Sequence, residues 1–413
     1  MSDRTRPWVR SAVAVVLVAA SAGLAVGGPG PRPASARPVQ AAPDDAFFTP
    51  PAPLPAGSPG DVMRSRPSPA GPRSTRALAD AWQVMYLSTD VAGAPNAVTG
   101  TILVPKDADP ATAPIVGFGP GTHGPAFRCA PSLMLADGGF YEQPAVDDML
   151  ERGYAVAVTD YEGYHPDPAT TYMTGRSMGH ALLDAVRAAQ RLPEAGLAAD
   201  TPVVLRGYSQ GGGAAMWAGQ QHPSYAPELD LVGVAGGGVP ADLVQVGIPL
   251  DGADGFGFFL YTLLGIDNAY ADVSLEPHLN DAGRAAIARM EDDVCVLELI
   301  LELGGGTIAG HTVSSPLTAA LLGHIVENGL GGQAIDVPVF QYHEQQDGLV
   351  AFGQAQALRD AYCSLGVQHT WRTYDTGGAT GLIRHVNLVY RANDDVNRFV
   401  ESRLAGAPAT STC

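Results

Sequence analysis

Two pentapeptides, GRSMG at residues 175–179 and GYSQG at 207–211, set a serine between two glycines. That spacing suits a nucleophile exposed on a sharp strand-to-helix turn, where a Cβ at either flanking position would collide with neighbouring backbone. With 50 glycines in 413 residues the pattern also arises by chance, so the flanking segments must decide. TPVVLRG (201–207) is an apolar, strand-like run ending in glycine, and GGGAAMWAG (211–219) continues as a helix whose small residues allow close approach to a sheet. Ser209 is therefore the candidate nucleophile. Ser177 follows the polar, turn-like PATTYMTG and precedes the amphipathic HALLDAVRAAQRL, which reads as an ordinary helix N-terminus.

A nucleophilic serine needs a base and an acid that orients the base, and on this kind of sheet the chain order is Ser, acid, His. VPVFQYHEQQDGLV (337–350) places Asp347 just past an apolar strand, with Glu344 as an alternative nearer the strand itself. Two histidines follow. His369 sits inside VQHTWRTYD, where alternation makes it an ordinary strand residue, and His385 follows the glycine-containing loop DTGGATGLIR and opens the final helix. His385 is the expected base, with Nε2 toward Ser209 and Nδ1 on Asp347.

GPGTHG (119–124) satisfies G-x-G-x-x-G after a strand-like run. A dinucleotide site would need a helix N-terminus directly behind it, but PAFRCAPS follows with two prolines. The segment reads better as an oxyanion loop, in which an N–H near Thr122 or His123 joins that of Gln210. His123 as a second catalytic base is a weaker alternative. The chemistry requires no metal and no organic cofactor.

These residues need a scaffold that carries them to one edge. WQVMYLST and AVTGTILVP suggest an antiparallel strand pair, followed by strand-like runs at 113–119, 154–161, 201–207, 229–237, 337–344 and 367–375. Helix-period segments fall at about 142–152, 177–193, 210–221, 351–365 and 385–404. The alternation implies an α/β fold with a mostly parallel, twisted sheet and helices on both faces. It breaks between 245 and 333, where apolar helical segments such as FGFFLYTLLGI suggest an inserted cap; its apolar residues form either the cap's own core or an acyl-chain channel. The expected organisation is a leader (1–36), an irregular arm rich in Pro, Ala and Gly (37–75), core (76–244), helical cap (245–333) and core (334–413).

The leader is read from Arg4, Arg6 and Arg10, the apolar run SAVAVVLVAASAGLAVGG, and the small-residue exit ASA ending at Ala36, with VQA ending at Ala41 as a second cleavage site. Retained, the run would be just long enough for a membrane anchor; cleaved, the product is exported and soluble. Removing 1–36 takes the formal charge from −18 to −21, a surface that repels nucleic-acid phosphate and anionic membranes. Cys129, Cys295, Cys363 and Cys413 contain no C-x-x-C pair for zinc and read as two disulfides, with three connectivities open.

Taken together, FFTPPAPLPAGSPGDVMRSR, GPGTHGPAFRCAPS, VAVTDYEGYH, ALLDAVRAA, RGYSQGGGAAMWA, GVAGGGVPADL and VPVFQYHEQQDGLV make the chain resemble the secretory lipase family, the lipase A-like group of the α/β-hydrolase superfamily. The resemblance implies an α/β-hydrolase fold with a helical cap and a hydrolase of acylglycerols or similar lipid esters. Its triad maps onto Ser209, Asp347 and His385, and its disulfides would pair Cys129 with Cys295 and Cys363 with Cys413. The loop before His385 is longer than the family's. A lipid or small ester substrate, transient contact of the cap with a lipid interface, and no nucleic-acid or obligate protein partner follow. A peptidase or acyltransferase would share the triad; a non-catalytic binding protein and a nucleotide-dependent oxidoreductase are the more distant rivals.

Overall fold

Runs of β-branched and apolar residues bounded by glycine and proline become strands that are buried on both faces. The computed structural model describes residues 45–413, and the leader expected at 1–36 lies outside them. Nine strands form one sheet: β1 Val62–Pro67, β2 Ala79–Thr89, β3 Pro95–Pro105, β4 Ile115–Gly119, β5 Ala155–Glu162, β6 Val203–Tyr208, β7 Leu231–Gly237, β8 Val339–Glu344 and β9 His369–Tyr374. Their order is β1-β2-β3-β5-β4-β6-β7-β8-β9. The pairs up to β3/β5 are antiparallel, and every pair from β5/β4 to β8/β9 is parallel. The carboxyl ends of the parallel strands thus share one edge, where ligand sites of such sheets form.

Alternate residues of each central strand enter opposite cores. Ile115 and Val203 face a cluster with Leu182, Val186, Ala214 and Tyr362, from helices Gly175–Arg191, Gln210–Tyr225 and Phe352–Ser364. Val116 and Val204 face a cluster with Val146, Met149, Leu388 and Val400, from helices Gln143–Glu151, Gly381–Arg391 and Asn393–Leu404. Fully burying each such side chain is worth about 1.5–3 kcal/mol, which is why the apolar runs are strands inside the sheet.

Between β7 and β8 the chain makes helices, including Phe256–Ala269, Asp281–Asp293, Val296–Leu301 and Ala319–Glu327. They pack on a third core containing Phe256, Phe259, Leu260, Leu264 and Met290, which also takes in Tyr172, Met173, Leu349 and Val350 from the sheet domain. Much of the insertion's apolar surface therefore serves its own packing. Among the described residues no helix is long and apolar enough to cross a membrane.

The structure departs from the sequence reading in two places. The arm is not wholly irregular, because Val62–Pro67 pairs antiparallel with β2 as an edge strand; proline is tolerated at such an edge. The final helix is two, broken at Ala392, and His385 lies in the second turn of the first, Gly381–Arg391. The cysteines pair as Cys129–Cys295, joining the loop after β4 to the insertion, and Cys363–Cys413, holding the C-terminus.

Candidate active site

Ser209 follows β6 directly and precedes helix Gln210–Tyr225, with φ 56° and ψ −121°. A non-glycine residue in that region is strained by about 1–3 kcal/mol, so the surroundings must impose it. The Ser209 N–H donates to Gly237 O at 2.8 Å, and Ser209 O accepts from Gly213 N at 3.0 Å. A Cβ on Gly207 would lie 2.2 Å from Gly211 O, and one on Gly211 would lie 1.8 Å from Gly119 O. The elbow can close only with glycine at both positions. It presents Ser209 at the sheet's carboxyl edge with the first N–H groups of a helix, Gln210 foremost, behind it.

Asp347 lies in the loop after β8. Its Oδ1 accepts from Leu349 N at 2.9 Å and Val350 N at 2.8 Å, and its Oδ2 accepts from His385 Nδ1 at 2.6 Å. Burial alone would raise this carboxyl, but the adjoining His385 and His343 and the Val350 N–H outweigh it and hold the group below its ordinary range. His385 is 4% exposed. Tyr208, the residue before Ser209, donates from Oη to His385 O at 2.8 Å and stands 5.0 Å from the imidazole centroid to centroid. The imidazole is thereby fixed beside the elbow. Ser209, Leu349 and Val350 line one cavity of about 40 Å³ with Tyr172, Met173 and Phe258.

The alternatives weighed in the sequence lie elsewhere. Glu344 accepts from Thr376 N at 2.7 Å and Gln346 N at 3.2 Å, tying two loops together. His369 bonds through Nε2 to Gln341 Oε1 at 2.9 Å inside the sheet. Ser177 sits buried in the first turn of helix Gly175–Arg191. His123 is buried and stacked on Phe140 and Tyr141, with ring centroids 4.9 and 4.8 Å apart. Burial pushes its pKa down to about 3, which keeps the ring neutral and makes it a poor proton acceptor at neutral pH.

The Gly119–Gly124 loop passes beside the elbow, as the close approach of Gly119 to Gly211 requires. Thr122 Oγ1 and Tyr172 Oη share a hydrogen bond at 2.8 Å, and Tyr172 lines the Ser209 cavity. Gly121 N donates to Glu142 Oε2 at 2.7 Å, and His123 O accepts from Val296 N at 2.8 Å. Sequence reasoning passed over three residues here: Tyr208, Glu142 and His343, whose Nε2 donates to Val350 O at 2.9 Å and lies 3.7 Å from Asp347 Oδ2. A histidine four residues before the acid was the one signal available.

A family model described as secretory lipase matches residues 140–412, more than half of the sequence. The chain belongs to the secretory lipase family. A secreted triacylglycerol lipase of Malassezia globosa is 29% identical over 393 residues, covering 90% of this chain and 81% of that protein. A probable inactive lipase of Mycobacterium tuberculosis is 27% identical over 391 residues, covering 89% and 83%. The closed state of Candida antarctica lipase A superposes with a TM-score of 0.78 at 23% identity, covering 90% of this chain and 88% of that one, a likeness of fold. This secretory lipase is thus an α/β-hydrolase of the lipase and esterase class. Because a similar relative is named inactive, the site's own residues must carry the assignment of chemistry.

Proposed function

We propose that the protein is an exported serine ester hydrolase that works through an acyl-enzyme. Ser209 Oγ attacks the ester carbonyl as His385 Nε2 removes its proton, and Asp347 orients the ring and balances the imidazolium. The N–H groups of Gln210 and of the Thr122/His123 turn receive the oxyanion, and His385 returns its proton to the leaving alcohol. Water then attacks the acyl-enzyme by the same route, releasing the acid and free Ser209. The observation that carries this reading is the 2.6 Å Asp347–His385 bond, with His385 O held by Tyr208, the residue that precedes the strained Ser209.

The substrate class follows from the cavity wall. Met173, Leu243, Leu250, Phe258, Phe259 and Ile325 offer no charge, which suits an acyl chain. The insertion between β7 and β8 acts as a cap. Its Leu301, Val313, Val326 and Ile248 are 77%, 71%, 67% and 66% exposed, apolar surface fit for transient contact with a lipid layer. The family's secretory character and the basic-then-apolar leader at 1–36 support export, with the mature chain starting after Ala36 or Ala41. N-terminal sequencing of protein from culture medium tests that.

Ser209→Ala should lower kcat on p-nitrophenyl esters by on the order of 10⁶ and abolish fluorophosphonate labelling. Activity surviving at about a tenth of normal would refute the nucleophile, since a triad without its serine keeps only background catalysis. Parallel assays on peptide substrates separate an esterase from a peptidase with the same triad.

A further inference from the structure

Three consecutive residues grip three others. Gly121, Thr122 and His123 of the loop beside the elbow meet Phe140, Tyr141 and Glu142, which lead into helix Gln143–Glu151. Glu142 Oε2 accepts the Gly121 N–H at 2.7 Å, Tyr141 Oη donates to Thr122 O at 3.4 Å, and the Phe140 and Tyr141 rings stack on His123. Gly121 fits beneath Tyr141 only because it has no side chain, since a Cβ there would lie 2.2 Å from Tyr141 Oη.

Glu142 is the unexpected member. It is 2% exposed, and a carboxyl group buried this far is unfavourable unless it serves a purpose. Arg206 of β6 is the cation facing it, yet the Arg206 guanidinium bonds to Asn393 and Asn397. No ion pair of Glu142 with a cation occurs among the described residues.

We infer that Glu142 is a positioning residue for ester hydrolysis: by accepting the Gly121 N–H it holds the Thr122/His123 backbone in the orientation that receives the oxyanion. The inference rests on the reading of Ser209 as nucleophile and of this loop as oxyanion donor. Without the acceptor, a buried N–H is left unpaired and the loop can rotate its next amide away from the elbow. The role calls for an acceptor that brings no charge, because a carboxylate one residue from the oxyanion would oppose it. Burial meets that need, raising the Glu142 pKa to about 8. The other titratable groups facing it are Tyr141, Tyr161 of β5, Tyr342 of β8 and Tyr390 of helix Gly381–Arg391, all held neutral by burial.

The test compares wild type, Glu142→Gln, Glu142→Leu and Ser209→Ala on p-nitrophenyl butyrate from pH 6 to 9, with thermal melts to establish folding. Glu142→Leu should lose kcat by about 10- to 100-fold, up to the effect of losing one oxyanion donor, with KM within about twofold. Glu142→Gln, which still accepts a hydrogen bond, should keep kcat within about threefold at pH 7 and hold it above pH 8, where the wild-type value declines. Wild-type kcat in a folded Glu142→Leu, or a loss carried by KM alone, overturns the inference. Should Glu142→Leu fail to fold, the Gln variant decides by itself: a pH profile superimposed on the wild type overturns the positioning role. An active Ser209→Ala would instead sink the triad reading, so the two failures are distinguishable.

Discussion

His385 Nδ1 lies 2.6 Å from Asp347 Oδ2, while the other oxygen of the same carboxylate accepts the N–H groups of Leu349 and Val350. One oxygen anchors the acid to its loop and the other faces the imidazole. The two functions can therefore be separated by mutation. In Asp347→Asn the amide oxygen can keep the backbone bonds while its NH₂ faces Nδ1, forcing the wrong tautomer. We expect kcat to fall by on the order of 10³–10⁴ with little change in Tm. Glu344→Gln, whose partners are the Thr376 and Gln346 amides, should stay within a few-fold of wild type. Steady-state kinetics on both variants checks this, and the opposite ranking would move the acid to Glu344.

The elbow makes a steric prediction. Gly211→Ala would set a methyl group 1.8 Å from the carbonyl oxygen of Gly119 at the end of β4, which no side-chain adjustment relieves. Destabilisation of about 4 kcal/mol or more is expected, or failure to accumulate. Gly332→Ala, with no atom within 4 Å of the added Cβ, should change stability by no more than about 0.5 kcal/mol. Urea unfolding of the two proteins side by side is the measurement.

Much of this architecture was legible because it rests on local rules. Apolar runs such as TPVVLRG specify buried strands, and the glycines around Ser209 specify a turn that no other residue can make. The edge strand Val62–Pro67 was not legible, because VMRSRP has no apolar face and becomes a strand only through pairing with β2. Glu142 was hidden for a related reason: it reads as a surface acid, and only tertiary packing buries it. Tyr208 and His343 likewise take their meaning from long-range neighbours, His385 O and Val350 O.

The two disulfides should differ in what they protect. Cys363–Cys413 pins a tail that also bonds through Thr412 N to His369 O of β9, the edge strand of the sheet. Replacing both cysteines by serine should lower stability by about 2–4 kcal/mol and leave kcat alone. Cys129–Cys295 lies where Val296 N donates to His123 O and Ala126 N to Val294 O, so the bridge secures the loop beside the elbow to the insertion. Its double serine variant should lose kcat as well as Tm. Equal kinetic effects of the two pairs would contradict this division.

The cavity beside Ser209, about 40 Å³, is small against the roughly 300–1,000 Å³ of a typical small-molecule pocket. Longer acyl chains must displace part of the wall, and Val246 is a partly exposed wall residue where substitution should be tolerated. Val246→Trp should lower kcat/KM for p-nitrophenyl octanoate at least about ten times more than for the acetate, a difference of roughly 1.4 kcal/mol. A uniform loss across chain lengths would show that acyl chains leave Ser209 in another direction.

Glu142 also links stability to pH. Burial raises its pKa from 4.5 to about 8, so between these values the folded protein keeps the proton and the unfolded chain releases it. The stabilisation is whole below about pH 4.5 and is lost progressively as pH rises through about 8, because the unfolded state binds fewer protons. Asp160, raised by burial to about 6, acts in the same direction over a lower window. Glu142→Gln removes the first contribution and leaves the second. The Tm of wild type minus that of the Gln variant should therefore shrink steadily between pH 5 and 8 and level off beyond. A difference that stayed constant over this range, measured by thermal melts in matched ionic strength, would mean that Glu142 ionises alike in the folded and unfolded chains and is not the neutral acceptor required beside the oxyanion loop.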